Sequence, residues 1–417
     1  MSEMIDDLST TRVGSMLGIT LDAALAEQLA PTSLRRLGET RPSVLPQVAQ
    51  EGGALRLLGS GGPRYAPVRT LGRGGMGEVE LVEDRDIGRP VAVKRLLPEA
   101  GSAHNVARFA EEVRTIGRLE HPNILPIHDV GLDAEGRYFF VMKYFDGETL
   151  ESIITRLRRA DPEAVAQYDI PRRIEIFIGI LRALEFAHSR GILHRDIKPG
   201  NVMVGRHGEV VLMDWGVAGP IRGAGTEVHA EPAPGPTTSD DRLWTTRVGD
   251  LVGTPYYMSP EQAIGRNQSL DQRSDLYSAC VLLHELLGLV QRHGHHTSLM
   301  AVLMAVHRSE APPSMTAFAP HPAQPNGVPA EYHHLIHRGL QRDPDRRWQS
   351  AGELIDELEA IQRGACRVQC PVTFSKRMVG GINRFLDRRR MAGAMIVLGS
   401  AVVALGAVVA LVVQALR

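Results

Sequence analysis

The spacing of the hydrophobic residues changes at about Asp146, and this change limits the folds that the chain can adopt. Before it, short runs rich in β-branched and aromatic residues are broken by glycine, a pattern typical of an antiparallel sheet. These runs cover residues 68–71, 78–83, 90–96 and 138–144. An amphipathic pattern at 104–119 predicts a single helix among the strands. We therefore expect a small antiparallel β lobe with one helix.

After Asp146 the hydrophobic residues recur every three or four positions, which predicts amphipathic helices. The strongest patterns cover residues 171–189, 275–289, 298–307, 330–340 and 351–361. Residues 219–241 interrupt them with glycine, proline, serine and acidic residues that cannot bury enough apolar surface to order themselves. The sequence thus predicts an α+β domain over residues 65–363, with a large, mainly α lobe that carries a mobile insertion.

The two ends of the chain differ from this domain. Residues 1–64 show no strong hydrophobic period and predict a loosely ordered N-terminal arm. Residues 391–416 contain no charged residue and are mostly Ala, Val, Leu and Gly. A helix over 391–413 would be roughly 35 Å long, more than the ~30 Å hydrocarbon core of a bilayer. A buried core helix is the alternative, but the length and uniform apolarity favour a transmembrane helix after a juxtamembrane linker at 364–390.

Charge and cysteine content indicate where the domain should reside. Arg388, Arg389 and Arg390 precede the apolar run and only Arg417 follows it, so the positive-inside rule places the domain in the cytoplasm. We predict a single-pass, C-terminal tail anchor in the cell (inner) membrane, with the lipid bilayer as a partner. Three cysteines fit a reducing compartment. With 47 basic and 48 acidic residues, nothing indicates a nucleic-acid partner.

A glycine-rich segment with the pattern G-x-G-x-x-G lies between the first two β runs. It consists of Leu71, Gly72, Arg73, Gly74, Gly75, Met76, Gly77, Glu78 and Val79. Glycines allow backbone amides to approach phosphate oxygens closely. Dinucleotide-binding loops share the spacing but lead into a helix, whereas here the chain continues as a strand. Taken alone, the segment fits a plain glycine-rich turn equally well.

Lys94 lies within an apolar run where an unpaired ammonium group would be costly to bury. The helix predicted at 104–119 offers two carboxylates, Glu111 and Glu112. The spacing favours Glu112 on the face towards the sheet and leaves Glu111 in solvent. We predict an ion pair between Lys94 and Glu112, with nucleotide phosphates as the second anion near the lysine.

Two further motifs lie in residues 192–216. The first, H-R-D-x-K-x-x-N, and the second, D-W-G, consist of His194, Arg195, Asp196, Lys198 and Asn201, then Asp214, Trp215 and Gly216. With the glycine segment and Lys94, these spacings resemble bacterial eukaryotic-like (Hanks-type) serine/threonine protein kinases. The resemblance covers about residues 65–363. It implies the two-lobed protein kinase fold, with ATP and Mg²⁺ as cofactors and Ser/Thr hydroxyls of proteins as substrates.

The resemblance also implies roles for individual residues. Asp196 would accept the proton of the substrate hydroxyl, and Lys198 would steady the transferred phosphoryl group. Asn201 and Asp214 would hold Mg²⁺, while Lys94, Glu112 and the glycine-rich segment would bind ATP. These roles require the motif residues to gather around one bound nucleotide.

Further resemblances concern the substrate segment and regulation. Thr254 would line the site for the residue after the phosphoacceptor, and Glu261 would pair with Arg347. Asp275 would brace the catalytic loop, although the residue alone is equally typical of a helix cap. Arg195 beside Asp196 predicts control by phosphorylation of Thr245 or Thr246, with residues 237–239 as weaker candidates.

The resemblance implies a serine/threonine kinase that phosphorylates itself, for which a dimer would provide the second copy. Together with the predicted transmembrane helix, it indicates a role in membrane-associated signalling. The alternative is a catalytically weak pseudokinase scaffold, whose only support is Trp215 in place of the usual phenylalanine. A cluster at His293, His295 and His296 is more typical of a solvated loop than of a metal site, because no cysteine or carboxylate framework lies nearby.

Overall fold

The computed structural model describes residues 47–51, 54–58, 63–74, 77–216, 218–221, 254–266, 270–296, 298–308 and 320–365. These residues fall into two compact units. The first includes the described residues up to Thr149 together with Asn201–Pro220, and the second includes Leu150–Gly200 and the residues from 254 onwards.

Several predicted segments lie outside the described residues. They are most of the N-terminal arm, most of the insertion at 219–241, nearly all of the linker at 364–390 and the apolar run at 391–413. Within the part of the chain that is described, no helix combines the length and the apolarity needed to cross a membrane.

The predicted arm contains regular structure at its end. Strands β1 (Gln47–Glu51) and β2 (Ala54–Leu58) pair as an antiparallel hairpin. Two glycines separate the strands in the sequence, a residue type that favours short hairpin connections. The expectation of a loosely ordered arm was therefore wrong for these residues.

A five-stranded antiparallel sheet forms the centre of the first unit. Its strands are β3 (Tyr65–Arg73), β4 (Gly77–Asp84), β5 (Arg89–Leu96), β6 (Ile127–Leu132) and β7 (Tyr138–Lys143). Their spatial order is β3-β4-β5-β7-β6. Strand β6 was not predicted. It is an edge strand with Val130 48% exposed, so its sequence lacks the dense apolar run of a strand buried on both faces.

Both faces of the sheet are covered by apolar side chains. One face carries the cluster Tyr65, Val82, Val91, Val93 and Val141. On the other face, helix α1 (Ala103–Gly117) packs its Phe109 against Phe140 of β7, with ring centroids 5.3 Å apart. Phe140 pairs with Lys94 of the neighbouring strand β5, so this packing places α1 close to Lys94.

The remaining strands are short. They are β8 (Gly147–Thr149), β9 (Ile192–Leu193), β10 (Val202–Gly205), β11 (Val210–Leu212) and β12 (Gly219–Pro220). In the first unit β11, β10 and β8 form a three-stranded sheet in that order. The β10–β11 hairpin places Asn201 directly before one strand and Asp214 two residues after the other.

The second unit is mainly helical, as predicted. Its helices are α2 (Leu150–Arg158), α3 (Pro162–Gln167), α4 (Ile170–Ser189), α5 (Pro260–Ala263), α6 (Gln272–Gly288), α7 (Leu299–Arg308), α8 (Ala330–Gly339) and α9 (Ala351–Gln362). Helix α6 is buried around its whole circumference from Ser274 to Gly288, which makes it the centre of this unit.

Candidate active site

Lys94 and Glu112 form an ion pair in the first unit. Strand β5 and helix α1 bring Lys94 Nζ to 2.5 Å from Glu112 Oε1, and the carboxylate is only 3% exposed. Glu111 is exposed, so the choice between the two glutamates was correct. Burial raises the pKa of Glu112 above its usual value, although the charge of Lys94 opposes this. The pair holds the ammonium group of Lys94 in a defined position.

Asp214 lies close to this ion pair. A β-carbon added at Gly216 would be 3.3 Å from both Asp214 Oδ1 and Glu112 Oε2, so the two carboxylates approach the same backbone position. The negative charge of Asp214 also contributes to the raised pKa of Glu112. A side chain at position 216 would therefore require these carboxylates to shift by a few tenths of an ångström.

Asn201 joins the same unit through the backbone. The N–H of Met213 donates to the carbonyl of Asn201 at 2.8 Å, which ties the residue before Asp214 to Asn201. Asn201 is buried, whereas the carboxylate of Asp214 is exposed. The first unit thus contains the predicted ammonium, carboxylate and amide groups.

Two residues of the predicted motifs have unusual backbone conformations. Arg195 has φ = 67° and Asp214 has φ = 62°, in the left-handed region that non-glycine residues rarely adopt. Such a conformation costs on the order of 1–2 kcal/mol and is often found at functional sites. Among the described non-glycine residues, only Ala160 and Leu289 share it.

The glycine-rich segment is a hairpin between β3 and β4, as the sequence predicted. Gly74 N–H donates to Gly77 carbonyl at 2.8 Å, and Gly72 pairs with Val79. A β-carbon at Gly77 would lie 2.7 Å from the carbonyl oxygen of Arg95, whereas one at Gly72 would meet nothing within 4 Å. The hairpin is therefore packed against β5 at Gly77 and has open space beside Gly72. Gly75 and Met76 lie outside the described residues.

Trp215 is a core residue of the first unit. It is 2% exposed, and its indole N–H donates to the carbonyl of Leu212 at 3.4 Å. The departure from phenylalanine is therefore accommodated by burial and one hydrogen bond.

The second unit holds the predicted catalytic loop. Lys198 Nζ donates to Asp196 Oδ2 at 2.6 Å, and the Asp196 N–H donates to His194 Nδ1 at 3.2 Å. The Asp196 side chain is 13% exposed, so its carboxylate remains accessible. The loop thus presents a carboxylate beside an ammonium group.

Asp275 of α6 braces this loop. Its carboxylate accepts hydrogen bonds from the backbone N–H of His194 and of Arg195, both at 2.9 Å, and contacts His188 Nε2 at 2.8 Å. Burial acts to raise its pKa, but the hydrogen bond and charge of His188 outweigh burial, so the pKa lies below the usual value. The helix cap is Asp271 instead.

Glu261 and Arg347 form the predicted ion pair. Two guanidinium nitrogens of Arg347 lie 2.7 and 2.9 Å from the carboxylate oxygens, and Ser274 Oγ donates to the same carboxylate at 2.7 Å. Arg347 is fully buried, with its guanidinium 4.9 Å from the ring centroid of Tyr277. Burial would raise the pKa of Glu261, but Arg347 more than offsets this and lowers it. The pair fixes α5 within the second unit.

The other predicted residues are placed less fully. Thr254 begins the 3₁₀ helix Thr254–Tyr257 just before α5, while Thr245 and Thr246 lie outside the described residues. His293 is 1% exposed, so the expectation of a solvated loop was wrong for this residue. It lies near His284 and Arg292, and burial lowers the pKa of its imidazole to about 3.

The sequence motifs did not indicate two side chains that make long-range hydrogen bonds in the second unit, Tyr257 and Gln262. Tyr257 donates its hydroxyl to Glu285, which also binds Arg158 at 2.6 Å. Gln262 donates to the carbonyl of Arg195 at 3.0 Å. The pattern S-x-x-Q from Ser259 to Gln262 is a readable capping-box signal, but it does not indicate the contact with Arg195.

Comparison with known proteins agrees with this arrangement. The protein kinase domain family matches residues 65–357. A probable serine/threonine-protein kinase of Streptomyces coelicolor is 38% identical over 307 residues, which is 73% of this chain and 40% of the relative. The kinase PknD of Protochlamydia amoebophila is 33% identical over 73% of this chain and 30% of its own length.

The kinase PknB of Mycobacterium tuberculosis is 32% identical over 72% of this chain and 43% of its own length. The chain thus matches less than half the length of each of these relatives. The matched part contains the ion pair, the braced loop and the substrate segment described above. The chain belongs to the protein kinase family, as a bacterial Hanks-type serine/threonine kinase.

Proposed function

We propose that this chain transfers the γ-phosphoryl group of ATP to serine and threonine hydroxyls of proteins. The observation that carries the proposal is the Lys94–Glu112 ion pair with Asp214 beside it, in a unit that also holds Asn201. The names of the relatives as serine/threonine-protein kinases support the same reaction.

The donor groups fit the cofactors of this reaction. The amide oxygen of Asn201 and the carboxylate of Asp214 are the hard oxygen ligands that Mg²⁺ prefers. No cluster of three or more His, Cys, Asp or Glu side chains that could hold a metal occurs in the described ranges, so phosphate and water oxygens would complete the coordination. When bound, the metal neutralises charge on the phosphates. Lys94 adds a fixed positive charge for the same anion.

Asp196 and Lys198 supply the groups for the acceptor hydroxyl. One carboxylate oxygen of Asp196 accepts the hydroxyl proton as the substrate oxygen attacks. Lys198 Nζ, 2.6 Å from Asp196 Oδ2, places a positive charge where negative charge develops. Asp275 holds the loop backbone so that the Asp196 carboxylate keeps its orientation.

The test compares the full chain with Asp196→Asn, using labelled ATP, Mg²⁺ and casein as a generic acceptor. We expect labelling by the variant to fall by about 10²- to 10⁴-fold, the usual contribution of a general base. Stabilisation by ATP and Mg²⁺ in a thermal melt should persist in Asp196→Asn and disappear in Asp214→Ala. A wild-type chain that binds ATP but labels casein no faster than Asp196→Asn would instead be a pseudokinase scaffold.

The proposal extends to regulation and location. Self-phosphorylation at Thr245 or Thr246, between two copies of the chain, would add a phosphate group that could pair with the guanidinium of Arg195. The uncharged run at 391–416 after three arginines supports a membrane-spanning helix in the cell membrane with the kinase domain in the cytoplasm. Mass spectrometry after incubation with ATP would locate the phosphates, and the double variant Thr245→Ala/Thr246→Ala should be slower than the wild type.

A further inference from the structure

We propose that Gln262 is a positioning residue for Asp196, because it holds the backbone of the residue that precedes this aspartate. The inference rests on the proposed kinase function and adds a residue to it. It depends on four hydrogen bonds within the second unit, none of which involves the reacting groups directly.

The backbone of Arg195 is held on both sides by side chains. Its N–H donates to Asp275 Oδ1 at 2.9 Å, and its carbonyl accepts from Gln262 Nε2 at 3.0 Å. Arg195 has φ = 67°, so surrounding contacts must compensate for a conformation that the chain would otherwise leave. The next residue is Asp196, so a change in the Arg195 conformation would redirect the Asp196 carboxylate.

The orientation of the Gln262 amide is fixed by its other end. Oε1 accepts from the N–H of Ser259 at 2.9 Å and from its hydroxyl at 3.0 Å. The backbone N–H of Ser259 needs an acceptor, and the only acceptor of a glutamine amide is its oxygen, so Oε1 must face Ser259 and Nε2 must face the carbonyl of Arg195. Gln262 therefore bridges the capping box of α5 and the catalytic loop.

This bridge is not needed to hold α5 in place. Helix α5 is already anchored through Glu261, whose carboxylate binds the fully buried Arg347 and Ser274. The group that depends on Gln262 is the carbonyl of Arg195. Loss of the bridge should therefore affect phosphoryl transfer more than folding.

Gln262→Glu removes the hydrogen bond at one end of the bridge and keeps those at the other end. A glutamate at this position can still accept from Ser259, since capping boxes use glutamate or glutamine alike. It places an acceptor opposite the carbonyl of Arg195 in place of a donor. We expect kcat for casein phosphorylation to fall by about 10- to 100-fold, as for other small misplacements of reacting groups, with the KM for ATP unchanged within about twofold.

The pH dependence distinguishes positioning from a general structural effect. A protonated carboxyl can donate to the Arg195 carbonyl, so the ratio of Gln262→Glu activity to wild-type activity should rise as the pH is lowered from 8 to 6. The charged and titratable groups of the same bonding network are Arg195, Asp275, His188, Glu261 and Arg347, and both proteins contain all five. Gln262→Ala removes the bridge without adding a titratable group. The ratio of its activity to wild-type activity should be as low as that of Gln262→Glu at pH 8 and should not change with pH.

The control is Gln341→Glu, the same chemical change at an exposed hydrogen bond just beyond the end of α8. Gln341 Nε2 donates to the carbonyl of His337 at 3.0 Å, so a donor to a backbone carbonyl is again replaced by an acceptor. Its kcat should equal that of the wild type.

Two results would overturn the inference while leaving the kinase function intact: wild-type kcat in Gln262→Glu, or a loss of kcat whose ratio to wild type does not change with pH. A wild-type chain that fails to label casein would overturn the kinase function itself. Should Gln262→Glu not fold, Gln262→Ala with unaltered kcat would reject the inference equally well.

Discussion

Asp275 is a buried carboxylate whose two oxygens hold consecutive backbone N–H groups of the catalytic loop. One oxygen accepts from His194 and contacts His188, and the other accepts from Arg195. Removal of the carboxylate would leave buried donors without acceptors, which costs far more than the net value of each bond. This single side chain therefore contributes both to stability and to the position of Asp196.

We predict that Asp275→Asn lowers the free energy of unfolding by about 3 kcal/mol near pH 7, because a buried polar network loses its charged member. The folded state lowers the pKa of Asp275. The carboxylate therefore contributes stability above the ordinary carboxyl pKa of about 3.9, and that contribution is lost as the pH falls through the folded pKa. Urea denaturation should show the deficit of the variant shrinking below pH of about 4.

Asp271→Asn on the same helix is the control. Asp271 caps α6 by accepting from the N–H of Arg273 at 2.8 Å and contacts no residue of the catalytic loop in the described structure. Asparagine can still cap the helix, so the substitution removes only the partly exposed ion pair with Arg273 and should cost at most about 1 kcal/mol, without a fall in kcat. Equal kcat in the two variants would contradict the bracing role.

Spacing within the sequence was enough to indicate the residues of the motifs, but not the residues that support them. Lys94 and Glu112 could be paired because a buried lysine needs an anion and the helix offered one on the correct face. Gln262 could not be assigned, because its partner Arg195 lies 67 residues away in the sequence, and the burial of His293 could not be predicted from a polar local sequence. Local pattern thus predicted charged pairs better than it predicted neutral polar contacts and burial.

Helices α6 and α8 approach closely where Cys280 meets Gly339. A β-carbon at Gly339 would overlap Cys280 Sγ and lie 3.3 Å from Trp348 Cδ1. Cys280 is fully buried, and burial raises the pKa of its thiol to about 12, so the side chain is a neutral packing group. A glycine is required here for the approach of the two helices rather than for its backbone freedom.

We predict that Gly339→Ala lowers the free energy of unfolding by about 1–3 kcal/mol through overpacking. Cys280→Ala removes the sulfur that the new methyl group would meet, so the double variant should be less destabilised than the sum of the two single variants. Urea denaturation of all four proteins measures this coupling. Strict additivity would show that the helices do not meet at these residues.

Gly117→Ala is the matched control for helix packing. Gly117 ends α1, and an added β-carbon there would meet nothing within 4 Å. The substitution should leave stability unchanged or raise it by up to about 1 kcal/mol, since alanine favours the helix more than glycine does.

The helices of the second unit were the most predictable elements. All five predicted helices are present, with ends shifted by at most three residues, because each has a long amphipathic or apolar period. Helices α2 and α3 were not predicted as separate elements. Strand β6 was not predicted because its sequence shows no clear hydrophobic run. An edge strand needs few apolar residues, since it pairs through its backbone.

At the scale of the whole molecule, the uncharged run at 391–416 would determine where the kinase domain acts. A helix over this run would exceed the thickness of the hydrocarbon core, and the three arginines before it would remain on the cytoplasmic side. Anchored copies would meet more often, which favours phosphorylation of one copy by another.

We predict that the full chain, expressed in bacterial cells, stays with membranes washed in alkaline carbonate. A chain that stops after Arg390 should be released, because it lacks the apolar run. The double substitution Val403→Arg/Leu405→Arg places two charges at the centre of the run, each costing about 2.5–3.5 kcal/mol on insertion, and should release most of the protein. Val372→Arg in the linker adds the same type of charge outside the run and should leave retention unchanged. Release of the wild-type chain, or retention of both the shortened chain and the double arginine variant, would contradict the membrane anchor. Kinase activity would be measured separately.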